Sequence, residues 1–350
     1  MFKRAIFVSV FLVRALLISQ EPAKSDNTYV CPPCNAACDS LTFQAPGLCS
    51  HCSMPLVSDG GQNIAKPTIA FYLQSGVEVL DFAGPMEVFS YAGYKVFTVS
   101  KTTDPIISQG ILKVVPEFDI QHAPKADILA FFGGNSGEAK KDRDVIDWVR
   151  SQNEVQYYFS VCTGAFILAE AGLLNGKTVT TFHDALDDLE RDYPETKVVK
   201  NVRFVDNGSI MTTAGISAGI DGALHLVAKI SGFNTAREAA YYMEYDKWVP
   251  GEGLLLSDDD PYKNLESGTF KEYTGTYGYL DGGEIKVKVN QREKSLYAVL
   301  NDRNYPLFHM HNDTFSTLSG DTITFKRNAQ NKVSGYSTTK DTRTYAKLDK

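Results

Sequence analysis

The stretch QYYFSVCTGAFILAEAGLL, residues 156–174, decides the fold because it sets a lone cysteine between a predicted strand and a predicted helix. The strand is Gln156–Val161 and the helix is Ala165–Leu174. A residue in a tight strand-to-helix turn displays its side chain above the sheet, as in a nucleophile elbow. The adjoining helix N-terminus favours a thiolate, so we expect Cys162 to be reactive and to have a lowered pKa. The alternative is a buried cysteine that acts as a small hydrophobic residue.

Short apolar runs and amphipathic segments alternate on both sides of this stretch. This alternation predicts an α/β domain with a mainly parallel sheet and helices on both faces. The predicted strands are residues 69–73, 95–99, 128–132, 156–161 and 178–182. The predicted helices are residues 84–92, 138–152, 165–174, 184–192, 218–230 and 235–245.

Four motifs occur in this region: Gly76-Val-Glu-Val-Leu-Asp81-Phe-Ala-Gly84-Pro85, Phe132-Gly133-Gly134-Asn135-Ser136-Gly137, Val161-Cys162-Thr163-Gly164-Ala165 and Thr213-Ala-Gly215-Ile-Ser217-Ala-Gly219-Ile-Asp221. Together they resemble the ThiJ/PfpI superfamily, over about residues 67–246. Because the four motifs occur in the expected order, the match is specific, although each motif alone is weak. The resemblance implies a flavodoxin-like fold shared with class I glutamine amidotransferases.

The resemblance implies a set of site residues. Asp81 stands at the position of the family's acidic residue and Cys162 at that of the nucleophile. Gly133 and Gly134 match the loop whose backbone N–H groups face the sulfur. A carboxylic acid beside a thiol can exchange its proton during addition to an electrophilic carbon. Asp81 could instead be a solvated helix N-cap.

Threonine, not histidine, follows the cysteine, which weakens a peptidase assignment. The Cys-Thr-Gly elbow is closer to isocyanide hydratases and to the amidase-like domains of AraC-type regulators. We expect the backbone of Gly134 and Thr163 to hold developing negative charge. His183 could line the pocket or be an ordinary surface histidine, and Ser217 is a further pocket candidate. His225 is expected to be packed in the core.

The expected function is cysteine-dependent hydrolysis or hydration of a small electrophile: an amide, an isocyanide or an aldehyde. No cofactor is expected at this site, and the partners expected are a small-molecule substrate and a second copy of the chain in a homodimer. The alternative is a redox or metal-stress sensor in which Cys162 is oxidised. The chain carries 35 basic and 42 acidic residues, a net charge of −7, which argues against nucleic acid. Transcriptional regulation is disfavoured because an acidic linker, instead of a basic helix-turn-helix, follows the domain.

Five of the six cysteines fall within residues 31–52. Two Cys-x-x-Cys pairs suit a tetrahedral metal ion, so residues 28–57 predict a metal-binding ribbon holding Zn²⁺ or Cu⁺. Its second half also resembles a heavy-metal-binding module of exported proteins. Two disulfides are the alternative in an oxidising compartment. The predicted ligands are Cys31, Cys34, Cys49 and Cys52, with Cys38, His51 and Met54 in reserve.

The remaining segments complete the predicted domain organisation. Lys3 and Arg4 precede an apolar run, so residues 1–20 predict a signal peptide and export to the periplasm or outside the cell; an uncleaved membrane anchor is the alternative. The α/β domain is expected over residues 66–247 and a linker over 248–265. Alternating runs predict a C-terminal antiparallel β domain over residues 266–350.

Overall fold

The computed structural model describes residues 29–31, 37–44, 48–53, 56–58, 66–262, 269–290, 295–318 and 321–348. The predicted signal segment, Cys34 and Met54 lie outside these residues. The helices are α1 (Val79–Tyr91), α2 (Ser136–Ala139), α3 (Arg143–Ser151), α4 (Ala165–Glu170), α5 (Leu186–Asp192), α6 (Ala218–Ser231) and α7 (Phe233–Tyr242).

Fifteen strands precede the C-terminal β domain in the described part of the chain. They are β1 (Tyr29–Val30), β2 (Thr42–Phe43), β3 (Val57–Ser58), β4 (Thr68–Tyr72), β5 (Lys95–Ser100), β6 (Ile106–Ser108), β7 (Leu112–Val114), β8 (Phe118–Asp119), β9 (Ile128–Phe131), β10 (Tyr157–Val161), β11 (Thr178–Val179), β12 (Lys197–Val198), β13 (Phe204–Asp206), β14 (Ile210–Thr213) and β15 (Leu254–Leu255).

The central sheet has eight strands in the order β15-β13-β14-β10-β9-β4-β5-β8. All neighbours are parallel except β13 and β14, which form an antiparallel pair. The predicted mainly parallel sheet is therefore confirmed. Every residue of β9 and β14 is buried, so these inner strands are covered on both faces of the sheet.

Helices cover the sheet on both sides. One face packs Phe71 and Phe159 against α1, α6 and α7, and the other packs Phe131 against α3 and α4. His225 of α6 is fully buried, as predicted. Its Nε2 lies 2.9 Å from Asp206 Oδ2, and its Nδ1 lies 2.8 Å from the Tyr262 hydroxyl.

Several predicted elements differ from the structure, and the helix predicted over 84–92 begins earlier, at Val79. The helix predicted over 138–152 is broken, because Asp142 accepts a bond from the Asp144 N–H and starts α3 as an N-cap. The strand predicted over 178–182 ends at Val179 and pairs with β12 outside the central sheet. The Thr180 N–H donates to the Thr212 side chain instead of continuing a ladder. The helix predicted to reach Leu174 ends at Glu170.

The segment predicted as a linker is anchored to the α/β domain. Its strand β15 extends the sheet through Val205 and Asp206. Trp248 and Tyr262 are buried against the core. The sequence pattern missed this because Pro, Gly and three consecutive Asp residues are typical of exposed loops.

The C-terminal part is a closed antiparallel barrel of eight strands, which confirms the predicted β domain. A short 3-10 helix, Thr269–Tyr273, precedes it. The strands are β16 (Gly275–Gly278), β17 (Glu284–Asn290), β18 (Ser295–Leu300), β19 (Arg303–His311), β20 (Thr314–Ser316), β21 (Thr322–Arg327), β22 (Val333–Thr338) and β23 (Tyr345–Leu348).

The described N-terminal residues pair as a small antiparallel sheet in the order β2-β1-β3. Its core is made of Tyr29, Leu56 and three cysteines. Among the described residues, no helix is long and apolar enough to span a bilayer.

A substitution at Asp206 tests whether its buried ion pair with Lys229 stabilises the fold. The Asp206 carboxylate lies 3.0 Å from Lys229 Nζ, and both side chains are at most 2% exposed. We expect Asp206→Ala to lower the free energy of unfolding by about 3–5 kcal/mol, because it leaves a buried ammonium without its counter-ion. Urea unfolding measures this.

The matched control is Asp187→Ala, which breaks an exposed ion pair with Lys200 and should change stability little. Equal losses of unfolding free energy in the two variants would contradict a stabilising role for the buried pair.

Candidate functional site

The candidate site lies at the carboxyl edge of the central sheet, where three neighbouring strands end. Gly133 follows β9, Cys162 follows β10 and Gly215 follows β14. Asp81 reaches the same point from the first turn of α1. Ligands of open α/β sheets bind at this edge, so the fold brings the predicted residues together in a suitable place.

Cys162 has the strained backbone of a nucleophile elbow. Its φ is 58°, in the left-handed region that non-glycine residues rarely adopt. The Cys162 N–H donates to the Ala214 carbonyl at 3.1 Å. The Thr181 hydroxyl donates to the Cys162 carbonyl at 2.6 Å. These bonds hold the turn between β10 and α4 in one conformation.

The Asp81 carboxylate is fully buried beside the sulfur. Its Oδ2 accepts a hydrogen bond from the Gly133 N–H at 2.8 Å, and its Oδ1 accepts one from the Ile216 N–H at 3.0 Å. The Cys162 thiol is its third partner. Asp81 is therefore not the solvated N-cap of the alternative interpretation, and its side chain does not cap α1.

The electrostatics of this pair keep the proton on the sulfur. Burial raises the pKa of Asp81 to about 6, although the two backbone N–H groups oppose the shift. Burial and the nearby Asp81 carboxylate raise the pKa of Cys162 to about 12. The lowered thiol pKa expected from the helix N-terminus is therefore wrong, because desolvation and a neighbouring negative charge outweigh the Thr163 N–H.

Two glycines let the loop after β9 approach the pair. A Cβ on Gly133 would lie 2.7 Å from both the Cys162 sulfur and Asp81 Oδ2. Gly134 has a φ of 90°, and a Cβ there would lie 2.2 Å from the Gly76 carbonyl oxygen. The expectation that the Gly133 N–H faces the sulfur needs correction, because that group donates to Asp81.

The two further pocket candidates lie on the solvent side. The His183 side chain is 72% exposed and pairs with Asp184 at 3.2 Å. Ser217 is exposed, and its hydroxyl accepts from Arg203 at 3.3 Å. Neither side chain forms a hydrogen bond or ion pair with Cys162 or Asp81.

Three contributors at the site were missed from the sequence. The Phe182 ring lies beside Gly215, where a Cβ would come within 2.6 Å of the ring and 3.6 Å of the Cys162 sulfur. Ile216 supplies an N–H from a left-handed residue with a φ of 54°. The Ser136 hydroxyl donates to the Thr163 hydroxyl at 2.8 Å. Ser136 and Ile216 lie within two of the four family motifs, whereas Phe182 lies outside them. Neither a serine nor an isoleucine indicates such a role by its residue type.

Comparisons with known proteins identify the family of this domain. Residues 67–229 match the DJ-1/PfpI family. An isonitrile hydratase of Pseudomonas putida is 35% identical over 183 residues, which cover 51% of this chain and 78% of that protein. The chain belongs to the DJ-1/PfpI family. The resemblance read from the four motifs is thereby confirmed.

Two further relatives share the DJ-1/PfpI domain. The crystal structure of a ThiJ/PfpI family protein from Pseudomonas syringae superposes with a TM-score of 0.50 at 29% identity, over 53% of this chain and 78% of that one. The HTH-type transcriptional regulator CdhR of Pseudomonas aeruginosa is 27% identical over 169 residues, which cover 46% of this chain and 50% of the regulator. The DJ-1/PfpI domain therefore occurs in an enzyme and in regulators.

A second candidate site lies in the N-terminal unit, where four cysteine sulfurs fall within 4.8 Å of one another: Cys31, Cys38, Cys49 and Cys52. The Cys31 and Cys52 sulfurs are 3.1 Å apart, longer than a covalent S–S bond of about 2.05 Å. Four thiolates around Zn²⁺ at about 2.3 Å stand about 3.8 Å apart, so the cluster fits a tetrahedral ion.

The set of grouped cysteines differs in one member from the predicted ligands. Cys38, expected only in reserve, joins the cluster, whereas Cys34 lies outside the described residues. His51 is exposed. Thiolate ligands suit Zn²⁺ or Cu⁺, and the identity of the metal stays a prediction.

Elemental analysis of the purified protein tests the metal centre. We expect about one bound Zn²⁺ or Cu⁺ per chain, which Cys38→Ser should reduce severalfold because it removes one of four converging sulfurs. Cys162→Ser is the matched control and should retain the metal. Metal content unchanged in Cys38→Ser would contradict a ligand role for Cys38.

Alkylation of Cys162 tests the electrostatic pairing. Because the Asp81 carboxylate raises the thiol pKa, we expect Asp81→Asn to speed modification by iodoacetamide at neutral pH, by about tenfold for each unit by which that pKa falls. Peptide mass spectrometry reports the modified fraction at Cys162 alone.

Asp187→Asn, an exposed carboxylate substitution, should leave the alkylation rate unchanged. Slower alkylation in Asp81→Asn would mean that Asp81 activates the resting thiol instead of restraining it.

Proposed function

We propose that the protein hydrates a small electrophilic carbon of the isonitrile class, with Cys162 as nucleophile and Asp81 as the proton-transferring group. The observation that carries the proposal is the buried Asp81 carboxylate, fixed by two backbone N–H groups and hydrogen-bonded to the buried Cys162 thiol. Similarity to an isonitrile hydratase over the domain that holds this pair adds support.

In the first step, the Cys162 sulfur attacks the terminal carbon of the isonitrile. Asp81 accepts the thiol proton as the C–S bond forms and delivers it to that same carbon, which gives a thioimidate, R–N=CH–S–Cys. General-base transfer of this kind activates a nucleophile only as the bond forms, so a neutral resting thiol is compatible with reactivity.

In the second step, water adds to the thioimidate carbon and the C–S bond breaks. The nitrogen takes one proton from water, the sulfur takes the other, and the products are an N-substituted formamide and the regenerated thiol. Asp81 again moves the proton. The backbone N–H groups of Thr163 and Gly134 are proposed to stabilise charge that develops during both additions.

The redox-sensor alternative is less well supported by the electrostatics. Oxidation of a thiol follows its thiolate character, and burial together with Asp81 raises the pKa of Cys162. Amide or aldehyde substrates remain within the proposal, because each offers an electrophilic carbon to the same nucleophile. Export and homodimer formation stay predictions from the sequence.

Turnover of an alkyl isonitrile, followed as formamide by proton NMR, tests the proposal. We expect Cys162→Ser to abolish turnover and Asp81→Asn to reduce it by about 10²–10⁴-fold, because the base is lost. Since the pKa of Asp81 is raised to about 6, the rate should fall as the pH drops below that value and the carboxylate becomes protonated.

Asp187→Asn should retain wild-type turnover. The proposal fails if wild-type protein forms no formamide, or if Asp81→Asn turns over as fast as wild type. A parallel assay with a simple amide and an aldehyde shows whether only the isonitrile substrate is wrong or whether Cys162 does not act as a nucleophile.

A further inference from the structure

The C-terminal barrel is filled with side chains at one end. Aromatic rings from the 3-10 helix and three strands interlock there, with Tyr273 5.1 Å from Phe315 and 4.8 Å from Phe325 between ring centroids. Phe270 packs on Phe315 at 5.9 Å, and the Tyr277 hydroxyl donates to the Tyr273 carbonyl at 2.7 Å. This end therefore forms the hydrophobic core of the barrel.

The other end of the barrel opens into a cavity of about 570 Å³. Its floor consists of buried aliphatic side chains on four strands: Ile285, Ala298, Leu307 and Ile323. Eight-stranded barrels are wide enough to hold one small ligand, and cavities of this size accept drug-sized molecules.

The mouth of the cavity exposes large apolar side chains. Tyr305 is 40% exposed, Leu280 is 43% exposed, and Tyr241, contributed by α7, is 42% exposed. Apolar side chains gathered around a concavity mark binding sites more often than singly scattered ones do. The site is thus formed jointly by the barrel and the DJ-1/PfpI domain.

The charged groups at the mouth form ion pairs with one another. Lys340 Nζ lies 2.7 Å from Asp321 Oδ2, and the Arg343 guanidinium contacts Asp341. The Tyr345 hydroxyl also donates to Asp341, at 2.5 Å. Since each carboxylate has a cationic neighbour, the cavity favours neither an anionic nor a cationic ligand.

Stacked rings along one wall indicate the shape of the ligand. Tyr336 and Tyr345 stack with centroids 5.2 Å apart, and Tyr279 lies 6.5 Å from Tyr345. Flat tyrosine faces pack best against other flat rings. We propose that this cavity binds an uncharged, ring-containing apolar small molecule, at a site separate from Cys162.

Fluorescence titration of the full-length protein with N-phenyl-1-naphthylamine, a neutral two-ring probe, tests the inference. We expect saturable binding of about one probe per chain. Tyr305→Asp should weaken it by at least about tenfold, because a charge replaces a ring at the mouth. Leu300→Trp, which fills part of the cavity without adding charge, should weaken it similarly.

Met310→Asp is the matched control, since Met310 lies on the same strand as Tyr305, is 49% exposed and does not line the cavity. Its affinity should stay within about twofold of wild type. Thermal unfolding verifies that all three variants fold, and a cavity variant that does not is replaced by Tyr305→Ser.

Two outcomes would overturn the inference. One is the lack of saturable binding to the wild-type protein, as would occur if residues of this chain already fill the cavity. The other is equal affinity of the wild-type protein and both cavity variants. Cys162→Ser should bind the probe normally, so failure of the catalytic proposal leaves this result unaffected.

Discussion

The left-handed backbone of Cys162 is the constraint on which the candidate site depends. Residues held in such conformations cost of order 1–3 kcal/mol and persist only where their surroundings fix them. Here the Ala214 carbonyl and the Thr181 hydroxyl fix the peptide groups on both sides. Gly133 then has no room for a side chain, because the sulfur and Asp81 occupy that space. The strained turn thus determines which residues can surround the thiol.

Helix α7 connects the three parts of the chain. It packs on α1 and α6 of the DJ-1/PfpI domain, and Arg237 and Asn234 donate to the carbonyls of Leu307 and His309 on the barrel. At its other end, the Tyr242 hydroxyl lies 3.5 Å from the Leu56 carbonyl of the N-terminal unit. The same helix contributes Tyr241 to the barrel cavity, so the DJ-1/PfpI domain and the proposed ligand site share one structural element.

Patterns of sequence predicted the parallel sheet and the elbow at Cys162, because each depends on local periodicity or a contiguous motif. The proximity of Asp81 was implied only by the resemblance to the ThiJ/PfpI superfamily. The raised thiol pKa could not be predicted, since it arises from burial and from a carboxylate 81 positions away in the chain. Ile216 and Phe182 were missed because they contribute a backbone N–H and a ring edge, and residue type does not reveal either contribution. Cys38 was placed in reserve because spacing favours Cys-x-x-Cys pairs, whereas the structure groups its sulfur with those of Cys31, Cys49 and Cys52.

We expect Cys162 to rest as a neutral thiol hydrogen-bonded to the Asp81 carboxylate. The most direct test is the ultraviolet difference spectrum between the wild-type protein and Cys162→Ser, in which thiolate absorbance isolates this one sulfur. We expect no thiolate signal from Cys162 between about pH 6 and pH 9, because burial and Asp81 raise its pKa above the ordinary value of about 8.5. A thiolate signal already present at about pH 7 would contradict it.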